Sequence, residues 1–193
     1  MNLVVGKLVG YAESNMELSR YDAAKLRFML EIIFLNLSEL ILFIVIFAAI
    51  GRLTEFFVAV GALMSVRIFS GGFHFKKYRY CVILTGTILA AAILVLPDVS
   101  QMNGVLEGLI FVTILLNIVL APVSKRNAAH SRKSNIRMKV ISTLILFVYA
   151  LWLLGSRDNL YVSIVAWMLF IQAVQLIIGK VLILRGDRKK RYG

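Results

Sequence analysis

Long apolar stretches separated by short polar interruptions dominate the chain, and they predict membrane-spanning helices. A helix needs about 20 residues to cross the hydrocarbon core of a bilayer, with a range of about 17–25. The first, fourth and sixth stretches reach that length easily. The second and fifth are shorter, so a version with four spans and two interfacial segments stays open. The six apolar stretches are residues 32–50, 53–66, 81–96, 105–123, 140–154 and 161–184.

Residues 1–31 follow a different pattern, in which apolar positions recur near helical spacing but are interrupted by charges of both signs. This pattern predicts two amphipathic helices on the membrane interface, the second opened by a weak capping box from Ser19 to Asp22. A docking surface for another amphipathic segment is the alternative. We therefore predict one domain, 1–193, with an interfacial segment (1–31), transmembrane helices (32–184) and a basic cytoplasmic tail (185–193).

The composition supports the same class of protein. Hydrophobic residues make up 60% of the chain and charged residues only 17%, and the mean hydropathy is +0.86. A soluble domain carries about 25% charged and 45–50% apolar residues. The predicted fold class is therefore an all-α integral membrane protein with about six transmembrane helices.

The basic residues are concentrated in alternate loops, which predicts the orientation. The chain has 22 Lys and Arg against 10 Asp and Glu, a net charge of +12. Because the cations lie between apolar stretches, they indicate membrane topology and anionic lipids rather than nucleic acid. Basic loops stay cytoplasmic, so six spans place both termini inside. The basic segments are 67–80, 124–139 and the tail after 184, and the loops poor in basic residues are 51–55, 97–104 and 155–160.

One short stretch, residues 67–81, carries both a histidine and the only cysteine, His74 and Cys81. A Cys–His pair can perform acyl chemistry, although this spacing alone is weak evidence against a simple packing thiol. On one continuous helix the two side chains would lie about 10.5 Å apart along the axis, too far for proton transfer. Residues 70–80 must therefore bend, and Gly71–Gly72 provides the freedom unless it only ends a helix. Its two backbone amides could donate to an oxyanion.

The order Arg67, Gly71, Gly72, His74 and Cys81 resembles the accessory gene regulator protein B (AgrB) family of bacterial membrane endopeptidases. Length, basic loops and the amphipathic N-terminus are also similar to that family. The resemblance implies a multi-pass protein of the bacterial cytoplasmic membrane that cleaves an AgrD-like precursor peptide on the cytoplasmic side. It also implies that the protein promotes cyclisation of the remaining peptide to a thiolactone or lactone quorum-sensing pheromone.

By the same resemblance, Cys81 is the nucleophile and His74 its general base, with Arg67, Gly71 and Gly72 in supporting roles. Glu39 lies within the first span, where a carboxylate is a functional candidate by default. It could pair with Arg67, orient His74 or line the peptide path, or it could be a protonated structural group.

Few other polar residues suggest chemistry. Gln172 and Gln175 form a polar stripe on the last helix and favour interhelical packing over substrate contact. His130 stands alone in a basic loop and is expected to be solvated. Two histidines and one cysteine do not supply a zinc site, and we expect no metal and no cofactor.

The expected partners are the precursor peptide and membrane lipids, with a homodimer left open and no nucleic acid. Two other functions remain as alternatives to the endopeptidase. One is a small transporter or exporter component without covalent catalysis, in which Glu39, Gln172 and Gln175 would line the path. The other is a membrane scaffold for a sensor kinase.

Overall fold

A computed structural model describes residues 2–15, 19–72, 78–102, 104–123 and 132–192. These residues form seven α-helices and no β-strand, which confirms the all-α membrane class. The fourth helix continues into a π-helical turn, Ala91–Val95. The helices are α1 Asn2–Asn15, α2 Arg20–Ala49, α3 Leu53–Ser70, α4 Tyr78–Ala90, α5 Val105–Leu120, α6 Arg132–Gly155 and α7 Val162–Tyr192.

The chain divides into two compact units, Met1–Gly51 and Arg52–Gly193, which are described one at a time. In the first unit α1 packs against α2 through an apolar cluster. Its members are Val5, Val9 and Ala23, with Leu26, Leu30 and Phe34 packed around them. The single membrane domain predicted from the sequence remains a prediction.

The second predicted amphipathic helix and the first span form one continuous helix, α2. Ser19 caps α2 as predicted, accepting a hydrogen bond from the Asp22 amide at 3.2 Å, and the helix then continues unbroken to Ala49. A helix of 30 residues is about 45 Å long, whereas the hydrocarbon core is about 30 Å thick. Charged residues occupy its first turns because one helix carries both the amphipathic part and the span.

Five helices are long and apolar enough to cross a membrane, and α5 is a shorter apolar helix. The second and fifth apolar stretches belong to helices of 18 and 24 residues, so the four-span version loses its basis. The fourth stretch, predicted to be long, is a helix of only 16 residues. It stops at Leu120 because Pro122 has no N–H and disfavours the helical conformation at Ala121, which is extended.

In the second unit, α7 is the most buried of the candidate spans, and it packs against both α3 and α5. Helix α6 also packs against α3 and α5, so these four helices form a bundle, while α4 lies against α3 and α7. Large apolar side chains remain exposed on the outer faces, which suits contact with lipid. Examples are Ile83, Phe111, Val148 and Leu151.

Polar contacts join the 97–104 loop to the 155–160 loop and the start of α7. The Asp98 carboxylate accepts hydrogen bonds from the Ser163 hydroxyl and, at 2.9 Å, from the Ser100 amide. These bonds hold the pKa of the Asp98 carboxyl below its ordinary value of 3.8. Arg157 forms an ion pair with Glu107 across the same end of the unit. The Gln101 amide also donates to the Asp158 carboxylate at 3.2 Å. Two of the three loops poor in basic residues, 97–104 and 155–160, therefore lie together, as the alternation of loops predicts.

Candidate active site

Helix α3 ends at Ser70, and only glycine fits at the next position, Gly71. Gly71 has φ of +75° and ψ of −159°, a conformation essentially restricted to glycine. A Cβ atom at this position would lie 2.2 Å from the carbonyl oxygen of Val123. Glycine is needed at this turn because the Val123 backbone occupies the space that any side chain would fill. The next described segment is helix α4, which carries Cys81, and His74 lies outside the described residues.

The turn is fixed by a short backbone pairing with the segment after α5. The Val123 amide donates to the Ser70 carbonyl at 2.9 Å, and the Gly72 amide donates to the Val123 carbonyl at 3.1 Å. The Gly71 amide donates to the Arg67 carbonyl at 2.9 Å. Both glycine amides are therefore satisfied within the protein, and the expectation that they donate to an oxyanion is wrong for this structure.

The side chain of Arg67 lies over the same turn and reaches α7. Its Nη1 donates to Oε1 of Gln175 at 2.9 Å. A Cβ atom at Gly72 would lie 3.4 Å from Nε of Arg67, which is ordinary contact with a flexible side chain. The two glycines thus differ: Gly71 is required by the backbone, whereas Gly72 leaves room for a small side chain.

Gln172, one turn earlier on α7, also bonds to this turn. Its Nε2 donates to the Gly71 carbonyl at 2.7 Å and to the Ser70 hydroxyl at 3.1 Å. Its Oε1 is buried and has no hydrogen-bond partner among the described residues. An unpaired buried acceptor costs about 1–3 kcal/mol. The amide keeps this orientation because the Gly71 carbonyl can only accept a hydrogen bond and therefore requires the NH₂ group.

The sequence identified the two glutamines as interhelical residues, and the structure gives their target. Gln172 and Gln175 are 1% and 4% exposed, and both bond to the last turn of α3 or the glycine after it. Their partners are more than 100 residues away in the sequence. No local pattern marks this pairing, so only the packing of α7 on α3 reveals it.

Cys81 lies in the first turn of α4 and is half-buried. Helix α4 contacts α3 and α7, the two helices that build the Gly71 turn. His74 and His130 lie outside the described residues, so the predicted contact between His74 and Cys81 stays a prediction. Glu39 is a half-buried residue of α2 in the first unit, and its predicted partnership with Arg67 or His74 also stays a prediction.

The arrangement is a hydrogen-bonded turn after α3 together with a thiol in the first turn of α4, a helix that contacts α3. Arg67, Gly71 and Gly72 are brought together at the end of α3, and Cys81 follows in the next helix. Within the described part of the chain, no group of three or more His, Cys, Asp or Glu residues could hold a metal ion.

Comparison with known proteins identifies the family. The family model for accessory gene regulator B (AgrB) matches residues 5–176. A protein from Clostridium beijerinckii described as AgrB-like is 27% identical over 173 residues, which is 87% of this chain and 83% of that protein. No solved structure matches the chain. Because the family match spans both units and the whole stretch from Arg67 to Cys81, this multi-pass membrane protein belongs to the accessory gene regulator B family.

Proposed function

We propose that the chain is a cysteine endopeptidase of the cytoplasmic membrane. It removes the C-terminal tail of an AgrD-type precursor peptide and promotes cyclisation of the remainder. Membership of the family connects the chain with the processing of agr quorum-sensing peptides. The single observation that carries the finer proposal is that the family match spans the ordered set Arg67, Gly71, Gly72, His74 and Cys81.

The proposed reaction begins at Cys81. His74 takes the thiol proton, and the thiolate attacks the scissile carbonyl of the precursor. When the tetrahedral intermediate collapses, the C–N bond breaks, and the leaving amine of the tail takes the proton from His74. The precursor remains attached to Cys81 as a thioester. The thiol at the start of α4 suits this step because a helix N-terminus favours nearby negative charge.

Cyclisation follows from the thioester. An internal Cys thiol or Ser hydroxyl of the bound peptide attacks the thioester carbonyl, the ring closes, and Cys81 regains its proton. A thiolactone product keeps most of the energy of the thioester. Intramolecular attack by a well-placed group has an effective molarity of about 10⁵–10⁸ M and therefore competes with hydrolysis.

The proposed proton transfer needs His74 and Cys81 within hydrogen-bond distance. Helix α3 ends at Ser70 and the chain turns at Gly71, so the stretch that carries both residues does not continue α3, which supports the proposal. The basic residues around this turn would also attract the acidic tail of a precursor.

The structure does not support the alternative function as a transporter. It needs Gln172 and Gln175 to line a path, whereas both side chains are buried and their hydrogen bonds go to α3.

Co-expression with an AgrD-type precursor tests the proposal. The precursor carries an epitope tag on its C-terminal tail, and cleavage is followed by mass spectrometry of membranes with matched protein levels. We expect Cys81→Ala and His74→Ala to lose at least about 10³-fold in cleavage rate, because each removes one member of the reacting pair. His130→Ala is the matched control, since it removes the other histidine from another basic loop, and it should cut like wild type. Cleavage by Cys81→Ala at the wild-type rate would reject the endopeptidase.

A further inference from the structure

We propose that Gln172 and Gln175 are positioning residues that hold the end of α3 in its productive geometry. This inference rests on the proposed function and goes beyond it, because both glutamines lie on α7, far in sequence from the stretch that carries His74 and Cys81. They contact Arg67, Ser70 and Gly71, the residues from which the chain leaves α3.

The partners fix the orientation of each amide. A carbonyl only accepts hydrogen bonds, so Gln172 must present its NH₂ group to Gly71. A guanidinium only donates, so Gln175 must present its carbonyl oxygen to Arg67. The two side chains therefore do different work: Gln172 anchors the backbone of the turn, and Gln175 anchors the cation that lies over it.

Three elements converge on this turn. Helix α7 supplies the two glutamines, α3 supplies Arg67 and Ser70, and the segment after α5 supplies the Val123 backbone. The side-chain carbonyl oxygen of Gln172 is buried and has no hydrogen-bond partner among the described residues, while the amide nitrogen of the same side chain binds the Gly71 carbonyl. Loss of either glutamine leaves the helices packed but lets the turn shift. A displacement of about 1 Å at a reacting centre can cost about 10²-fold in rate.

The test measures kcat and KM for the tagged AgrD-type precursor in proteoliposomes. Gln172→Met and Gln175→Met keep side-chain length but remove the hydrogen bonds. Asn117→Leu is the matched control, because Asn117 is 1% exposed and its amide joins α5 to α6 through Ser142 and Thr143 without touching the α3 turn. We expect both Met variants to lower kcat by about 10–100-fold with KM within about twofold. Asn117→Leu should stay within about threefold of wild type.

Rescue separates positioning from simple helix packing. Gln175→Glu keeps an acceptor for Arg67, so it should return kcat to within about threefold of wild type, whereas Gln175→Met does not. If the Met variants match Asn117→Leu, or if Gln175→Glu is as slow as Gln175→Met, the positioning role is rejected and the endopeptidase stands. If wild type does not cleave, or Cys81→Ala does, the proposed function itself fails and this inference with it.

Discussion

A single backbone position, Gly71, sets the direction in which the chain leaves α3. Its φ of +75° excludes other residues, and Val123 occupies the space that a side chain would fill. Gly72, one residue later, faces only the flexible Arg67 side chain. The two adjacent glycines are therefore not equivalent: the backbone requires Gly71 but not Gly72.

Gly71→Ala should therefore destabilise the protein, whereas Gly72→Ala should not. The backbone conformation alone costs about 1–3 kcal/mol for a residue other than glycine, and the clash with Val123 adds to it. At this chain length, 1 kcal/mol corresponds to about 2–4 °C in Tm. Thermal unfolding of the detergent-solubilised protein measures the difference, with Gly61→Ala as a control because nothing lies within 4 Å of the added methyl group. Equal Tm values for the two variants at 71 and 72 would contradict the assignment.

At the scale of elements, the loop between α4 and α5 is tied to the start of α7 by a carboxylate. Asp98 accepts hydrogen bonds from the Ser163 hydroxyl and the Ser100 amide, which together lower its pKa. The folded state therefore binds this proton less readily than the unfolded chain. The ionised Asp98 carboxylate therefore adds to the free energy of unfolding at pH values above its pKa in the unfolded chain. This contribution is lost as the pH falls through the lower pKa of the folded protein.

The expected pH dependence follows with that sign. Stability should be independent of Asp98 titration near neutral pH and should fall below about pH 4 as the carboxylate takes up its proton. Asp98→Asn should be less stable than wild type at pH 7, and the gap between the two should narrow as the pH is lowered. Thermal unfolding between pH 3 and pH 7 checks this. A gap that widens at low pH would contradict the hydrogen-bonded carboxylate.

Helix existence could be predicted from the sequence, but helix ends could not always be. Each of the six apolar stretches lies, to within one residue, inside one helix or inside α4 with its π-helical turn, except the fourth, which runs three residues past the end of α5. The end of α5 was missed because Pro122, rather than the apolar pattern, stops it. The start of α6 was missed because its first turns are basic, so the helix extends beyond its apolar part.

The sequence predicted only the part of the candidate site that lies in one short stretch of the chain. Arg67, Gly71 and Gly72 lie in a short motif that can be found locally, and the structure brings them together. The glutamines that bond to this turn, Gln172 and Gln175, lie more than 100 residues away in the sequence. Only the packing of α7 on α3 brings them into contact with it. The hydrogen bond from the Gly72 amide to the Val123 carbonyl could not be predicted either, because Val123 is distant in the sequence.

At the scale of the whole molecule, the alternation of basic loops predicts six spans with both termini in the cytoplasm. Single cysteines in the Cys81→Ala background test this orientation with a membrane-impermeant maleimide. We expect Leu160→Cys, which is in an exposed loop position, to react in intact cells. Arg191→Cys in the basic tail should react only after permeabilisation. Reaction of both in intact cells would indicate that α7 does not cross the membrane, and the opposite pattern would invert the orientation.

The central claim is that Cys81 forms a covalent bond with the precursor. Incubation of Cys81→Ser with an AgrD-type precursor, followed by intact-mass and peptide mass spectrometry, tests it most directly. We expect an ester between residue 81 and the precursor truncated at its cleavage site, because a serine ester reacts more slowly than the thioester. If the double variant that carries both Cys81→Ser and His74→Ala forms no such ester, the reaction needs His74 as its base. Accumulation of intact precursor with no adduct at residue 81, or an adduct at another residue, would contradict the account.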